Sequence, residues 1–337
     1  MSGAEYTASM SLPKSAPAGS FHYLQQFDTF DEFLKNVKKP GNVHIDAVPQ
    51  SGDSSLVFDL VGTDCSIANA IRRVILNEVA TIAIEKVVFL QNTGIMQDEK
   101  LAHRLGLIPI LADPSEFAER PAVTGEPEAT ENDTLVFELE VECTEADIDR
   151  DDPARLSKTI YSRDLKWIPH GSQAEKFKGR EPKPFHDDII VTRLAVGQKI
   201  KAVCFAQKGV GYDHCKWQPA TVFYRQLPVV RLLKDVEGEE AKLWKKHDVA
   251  NVFDLVPGNK KGSKKLEVAR PRNCTMAKNF LLLPDGKEKL LLDHKEDHFL
   301  FTIEPIGQIA ARDVLLRSLQ VLKQKAKSCI ESLDGVS

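Results

Sequence analysis

The last thirty residues constrain the fold more than any other feature. Leu315, Leu319, Leu322, Ala326, Cys329 and Leu333 follow one another at spacings of four, three, four, three and four, the seam of a heptad repeat, widened by Leu316 and Ile330. The pattern predicts a helix from about Gln308 to Leu333, which at 1.5 Å per residue is about 39 Å long. That exceeds the span of a small domain. Either the stripe packs along its whole length on its own chain, or part of it is available to another chain, and the spacing alone leaves both open.

A second segment adds to the demand for cover. In TDCSIANAIRRVILNEV, residues Ile67, Ala70, Ile71, Val74, Ile75 and Leu76 cover more than one helical face, too much for a helix lying on a single sheet. Arg72 and Arg73 stand together in that apolar surface. Two short strands flanking the turn residues Pro49 to Ser54 are expected before it, between 43 and 62. IAIEKVVFLQNTG (82–94) reads as a returning strand, and DEKLAHRLGLIPI as a helix that ends at Gly106, with Pro109 beyond. At the other end, residues 1–20 lack periodicity and read as a disordered tail. Phe27, Phe30, Phe33, Leu34 and Val37 then mark one face of a short helix, with Thr29 and Glu32 as its capping box.

From 112 the character changes to loops rich in Pro, Gly and Glu between strand candidates at 135–144, 189–197 and 200–209, with a further strand at 229–234 and a mixed segment to about 295. HFLFTIEPI (298–306) is again a strand. The charge is as uneven as the architecture. The net charge of −4 hides residues 113–152, with 15 acidic and 2 basic side chains, whereas 242–272 carries 9 basic and 3 acidic ones. Solvated loops and edge strands of opposite sign are the favoured reading of both stretches; the functional alternative is a docking surface, or in the basic stretch a weak nucleic-acid contact. The tract GNKKGSKK (258–265) has no interleaved aromatics for base stacking and reads as a flexible loop.

Little here suggests catalysis. Among 337 residues, 42% hydrophobic and 28% charged, there is no run of 18 apolar residues for a membrane span, and the small, polar N-terminus reads as lacking a secretory signal. There is no Gly-rich phosphate loop, no G-x-S-x-G and no H-E-x-x-H. His103 lies on a helix whose other face is Leu101, Leu105 and Leu107, where a structural role is the commoner one. The acidic stretch is too flexible to tune carboxylates for acid–base work. Of the six cysteines, Cys204 and Cys215 with His214 make a partial ligand set, but ten residues separate the two cysteines and buried free thiols are the commoner state. No metal and no cofactor is expected. A binding or scaffold protein is the reading these residues favour.

The run DCSIANAIRRVILNEVATIAIEKV followed by QDEKLAHRLGLIPI resembles the signature of the α-type subunits of cellular RNA polymerases, through N-A-x-R-R-x-x-L and L-A-H-R-L-G-x-I-P. VGQKIKAVCFAQKGVGYDHCKWQPATVFYR is similar to the KG-x-G-x-x-H-x-K-W-x-P segment of archaeal and eukaryotic members, and the resemblance covers roughly residues 27–337. It implies an α+β fold in which a discontinuous α-type dimerisation domain (41–111 and 296–337) is interrupted by a mostly β insert domain (112–295), after an N-terminal tail and helix (1–40). No cysteine lies between Cys65 and Cys143, so the zinc cluster of the RNA polymerase II counterpart has no ligands here, and Cys274 stands alone where several archaeal members hold an iron–sulfur cluster. The branch that remains resembles the larger α-like subunit shared by RNA polymerases I and III.

The resemblance implies a non-catalytic assembly subunit in the nucleus, including the nucleolus, serving transcription of ribosomal RNA, 5S RNA and tRNA genes. Its partners would be a small α-like subunit, the second-largest catalytic subunit and other subunits of polymerases I and III, with little or no direct DNA contact and no membrane. By motif position Arg73 and Leu76 match residues that face the second-largest subunit, with Arg72 contributing. Ile67, Ile71, Val74, Ile75, Leu315, Leu319, Leu322, Ala326 and Leu333 would form the pairing surface. A local salt bridge from Arg73 to Glu78 or Asp64 is the bland alternative for that arginine. Two other functions stay open: a free-standing adaptor using the same dimerisation fold, and a metal or thiol enzyme built on Cys204, Cys215 and His214.

Overall fold

Alternation along two segments builds the centre of the first of two four-stranded sheets. In Thr134–Glu142, residues Leu135, Phe137 and Leu139 are buried, while Glu138, Glu140 and Glu142 take the opposite face. Lys199–Gly209 buries Ile200, Ala202, Cys204 and Ala206 in the same rhythm. It pairs antiparallel with Thr134–Glu142 on one side and with Thr81–Asn92 on the other. Lys166–Ile168 completes the order Thr81–Asn92, Lys199–Gly209, Thr134–Glu142, Lys166–Ile168. The Asp98–Gly106 helix sets Leu101 and Leu105 into this core beside Ile82 and Ile84. This account rests on a computed structural model that describes residues 44–47, 55–119, 130–148, 157–258, 263–283 and 285–334. The expected tail at 1–20 and the helix expected over Phe27–Val37 lie outside these residues, as do Pro49 and most of the turn around it.

A second sheet has the order His44–Ala47, Leu56–Val61, Leu290–Pro305, Ala220–Leu232. Phe58 stacks on Phe301 with ring centroids 5.0 Å apart, and Tyr224 stacks on the same Phe301 at 5.1 Å. The Cys65–Asn77 helix packs Ala68, Ile71 and Ile75 into this core, and the C-terminal helix adds Val314 and Leu315. Truncating a fully buried phenylalanine such as Phe301 to Ala costs about 3–5 kcal/mol, so this aromatic triplet is a large share of the local stability.

The chain divides into two compact units. The larger holds both cores just described and comprises residues 45–60, 65–226 and 299–337. The smaller is centred on Leu227–His298. It consists of the Glu239–His247 helix and an antiparallel hairpin, Phe253–Pro257 with Lys264–Val268, around Trp244, Phe253 and Phe280. Trp244 stacks on Phe280 at 5.9 Å and meets Phe253 edge-on at 6.3 Å. At the end of that hairpin the Gly258 N–H donates to the Ser263 carbonyl at 2.8 Å; residues 259–262, within the tract expected to be a flexible loop, lie outside the described set.

Two expectations are refined. The C-terminal helix runs Ala311–Asp334 and starts after Gln308, because Gly307 holds a φ of +129° that no helix accepts and Ile309 turns into the core. The acidic stretch is largely matched within the chain. Lys201 bonds Glu140 at 2.9 Å, Lys199 lies 3.2 Å from Glu140, Lys158 is 3.0 Å from Asp147, and Arg180 pairs with Glu116. These carboxylates are cross-strand and loop partners of local cations, which supports the solvated-strand reading over a docking surface for the described part; 120–129 and 149–156 lie outside it.

Candidate interaction surface

The Cys65–Asn77 helix forms because thirteen residues without Gly or Pro carry apolar side chains at helical spacing. Its buried stripe is Ala68, Ile71, Val74 and Ile75, so three of the residues expected at the pairing surface, Ile71, Val74 and Ile75, are taken up by packing within the chain. Ile67, in the first turn of the helix, is exposed, and Leu76 is half-buried against the second core. The two arginines part company. Arg72 is half-buried and donates Nε and Nη2 to the Asn69 Oδ1, at 3.2 and 2.9 Å, one turn back on the same helix. Arg73 is exposed. Glu78, one of its two suggested local partners, is instead held by the Lys325 Nζ at 2.7 and 2.9 Å.

The C-terminal helix divides in two. Ala311, Val314, Leu315 and Ser318 are buried, with the Ser318 hydroxyl donating back to the Leu315 carbonyl at 2.7 Å. Leu319 and Leu322 are half-buried against the same core. Beyond them every residue from Lys323 to Leu333 is exposed, Ala326 and Cys329 included, with Ile330 at 58% and Leu333 at 72%. Among the described residues, the first half of the heptad seam is covered and the second half is open. Between the two helices a groove of about 600 Å³ is lined by Ala70, Arg73, Asn77, Tyr212, Leu322 and Lys325.

The groove wall explains the KG-x-G-x-x-H-x-K-W motif. A Cβ on Gly211 would lie 2.0 Å from the Leu76 carbonyl oxygen, and one on Gly209 would lie 2.4 Å from the Trp217 ring. Only glycine lets this loop close on the helix end, where the Tyr212 N–H caps the Asn77 carbonyl at 2.9 Å. Trp217 is buried and donates Nε1 to the Gln207 carbonyl at 3.2 Å, while its own carbonyl accepts the Thr81 hydroxyl at 2.8 Å. Lys216 lies 4.4 Å from the Trp217 ring centroid, donates to the Ile84 carbonyl at 2.9 Å and pairs with Glu85. The motif is thus a clasp tying a loop to the arginine-bearing helix. Its spacing was visible in the sequence, its purpose was not.

The thiol and histidine candidates do not converge. Cys204 is buried in the sheet core, which pushes its thiol up to about 12. Cys215 is exposed, 3.7 Å from the Nδ1 of His214, and that nitrogen accepts the Lys216 N–H at 3.1 Å. His103 is exposed and meets His214 edge-on at 6.4 Å. Among the described residues no group of three or more His, Cys, Asp or Glu side chains is placed to hold a metal ion, and no described helix is long and apolar enough to cross a membrane.

Among the described residues, an open helical seam thus lies beside a groove lined in part by Arg73. The chain belongs to the RNA polymerase Rpb3/Rpb11 dimerisation domain family, whose match spans residues 57–326. It is 40% identical over 312 residues to DNA-directed RNA polymerases I and III subunit RPAC1 of Homo sapiens, covering 91% of this chain and 87% of the relative. The subunit of the same description from Saccharomyces cerevisiae is 34% identical over 277 residues, covering 80% and 82%. RNA polymerase II subunit rpb3 of Dictyostelium discoideum is 30% identical over 286 residues, covering 81% and 89%. The family resemblance read from the arginine-helix motifs, and the α+β class with a discontinuous α-type dimerisation fold, therefore hold.

Proposed function

We propose that this chain is a non-catalytic scaffold subunit of RNA polymerases I and III. It pairs with a small α-like subunit through the open half of its C-terminal helix and presents the arginine-bearing helix to the second-largest subunit. One observation carries the reading: Lys323–Leu333 stays helical with an apolar stripe of Ala326, Ile330 and Leu333 that nothing among the described residues covers. A helical segment of that length is marginal in water without a packed face. In a family defined by dimerisation, a second helix-bearing subunit is the natural cover.

In this reading Ile67, Leu319, Leu322, Ala326 and Leu333 form the pairing surface, and Ile71, Val74, Ile75 and Leu315 hold its two helices in place from beneath. The pairing module is drawn from 41–111 and 296–337 across the insert at 112–295. Arg73, left open because Lys325 occupies Glu78, supplies a guanidinium whose five donors suit a carboxylate on the second-largest subunit, with Arg72 and Leu76 beside it. The chain would act in the nucleus and nucleolus, in transcription of ribosomal RNA, 5S RNA and tRNA genes. Affinity purification of the tagged full chain tests this. Recovery of a small α-like subunit together with the two largest subunits of both polymerases is expected, and recovery as a stable, monodisperse monomer would overturn it.

A further inference from the structure

The groove between the arginine-bearing helix and the C-terminal helix is lined by three charged side chains, Arg73, Glu78 and Lys325. One carboxylate faces two cations, so one cation is left over. The geometry decides which. The Lys325 Nζ donates to both oxygens of Glu78, at 2.7 and 2.9 Å. Arg73 is exposed, and its guanidinium has no partner among the described residues. Its neighbour Arg72 is already taken up by the Asn69 Oδ1.

The allocation is not the one local chemistry favours. Glu78 belongs to the end of the helix that carries Arg73, since its N–H donates to the Val74 carbonyl at 2.9 Å. A guanidinium suits a carboxylate better than an ammonium does, because its planar fork meets both oxygens at once. Left to themselves, Arg73 and Glu78 would neutralise each other within one groove wall. Lys325 prevents this from 247 residues away in sequence, across the contact between the two helices. The ion pair therefore exists only while the C-terminal helix is packed on the arginine-bearing one.

We propose that Lys325 is a positioning residue for the contact with the second-largest subunit. By occupying Glu78 it withholds the one local carboxylate from Arg73 and keeps that guanidinium open for a carboxylate of the incoming subunit. The C-terminal helix, read above as the pairing surface, thus also sets the charge presented by its neighbour. The inference rests on the subunit reading, because the carboxylate that Arg73 awaits must come from a co-assembled chain.

The test is affinity purification of the tagged full chain from cells, with every co-purifying subunit quantified by mass spectrometry. Both side chains are partly exposed, so the variants retain the fold. Lys325→Met is expected to lower the ratio of second-largest subunit to this chain about two- to fivefold, the population shift of one exposed ion pair. The small α-like subunit stays at its wild-type level. Lys325→Arg, which also holds Glu78, keeps the wild-type ratio. Glu78→Gln keeps it too and, combined with Lys325→Met, restores it, because no carboxylate is left to capture Arg73. An ion pair that merely ties the helices together gives the opposite pattern: Glu78→Gln loses as much as Lys325→Met, and the double variant recovers nothing. That pattern overturns the proposal, as does a wild-type ratio in Lys325→Met or a loss of the small α-like subunit from it. Arg73→Ala separates the two readings. If it lowers the ratio and Lys325→Met does not, only the role of Lys325 fails; if it changes nothing, the role of Arg73 fails as well.

Discussion

Substituting Gly211 by Ala isolates the clasp that shapes the groove beside Arg73. The added Cβ would sit 2.0 Å from the Leu76 carbonyl oxygen, 2.9 Å from the Gln218 Cγ and 3.1 Å from the Leu76 carbonyl carbon. Ordinary contact begins at 3.4 Å, so the loop must retreat from a backbone oxygen by about 1.4 Å. The 2.9 Å bond from the Tyr212 N–H to the Asn77 carbonyl cannot survive that shift. Losing one such bond costs about 1 kcal/mol, and overpacking a tight site adds about 1–3 kcal/mol. A total of about 2–4 kcal/mol corresponds to a drop in amide protection of roughly 30-fold to 1,000-fold. Hydrogen exchange at the Tyr212 amide, followed by mass spectrometry of the purified full chain with its co-purifying partners, reads this directly. Gly197→Ala serves as control, since its Cβ would meet nothing within 4 Å and its φ of +80° stores strain only locally. Tyr212 protection unchanged in Gly211→Ala, or lowered equally by Gly197→Ala, would refute the clasp.

Three further outcomes follow from the same geometry. Ile330→Asp with Leu333→Asp alters exposed positions, so it leaves the chain folded within about 0.5 kcal/mol while reducing capture of a small α-like partner at least a hundredfold in co-expression pull-downs; Leu315→Asp, in the core, instead depletes soluble protein. Arg73→Ala leaves that pairing intact and weakens retention of the second-largest subunit, measured by quantitative mass spectrometry of the purified assembly; loss of the pairing itself would move Arg73 to the other surface. Burial raises the Cys204 thiol from 9.0 to about 12, so the neutral form stabilises the fold fully below pH 9, and that contribution is lost as pH rises towards 12. At pH 8 iodoacetamide should modify Cys215 and spare Cys204, and rapid alkylation of Cys204 in the folded protein would contradict its place in the sheet core.

What could be read from the residues was local and periodic. The four-three spacing from Leu315 to Leu333 located the last helix to within three residues of its start, and the Gly106 stop on the Asp98–Gly106 helix was legible from its glycine. What could not be read was tertiary. Nothing in Thr81–Asn92 announces that its neighbour is Lys199–Gly209, because antiparallel pairing is decided by side-chain fit between segments far apart in sequence. The heptad seam likewise does not say where intrachain cover ends. Val314 and Leu315 join Phe299 and Phe301 in one core, and Ile330 finds no cover among the described residues. Burial of Ile71 and Ile75 was hidden for the same reason: a helix apolar on more than one face shows that something covers each face, and not whether that cover is its own chain.

In the proposed function, the open half of the C-terminal helix is a pairing surface inside a polymerase. Native mass spectrometry of the tagged full chain, purified from its own cells at endogenous level, tests it most directly. Assemblies of several hundred kilodaltons are expected that release, on mild activation, a one-to-one complex of this 37.6 kDa chain with a smaller α-like subunit. A dominant species at the mass of the chain alone, or of two copies of it, would contradict the account.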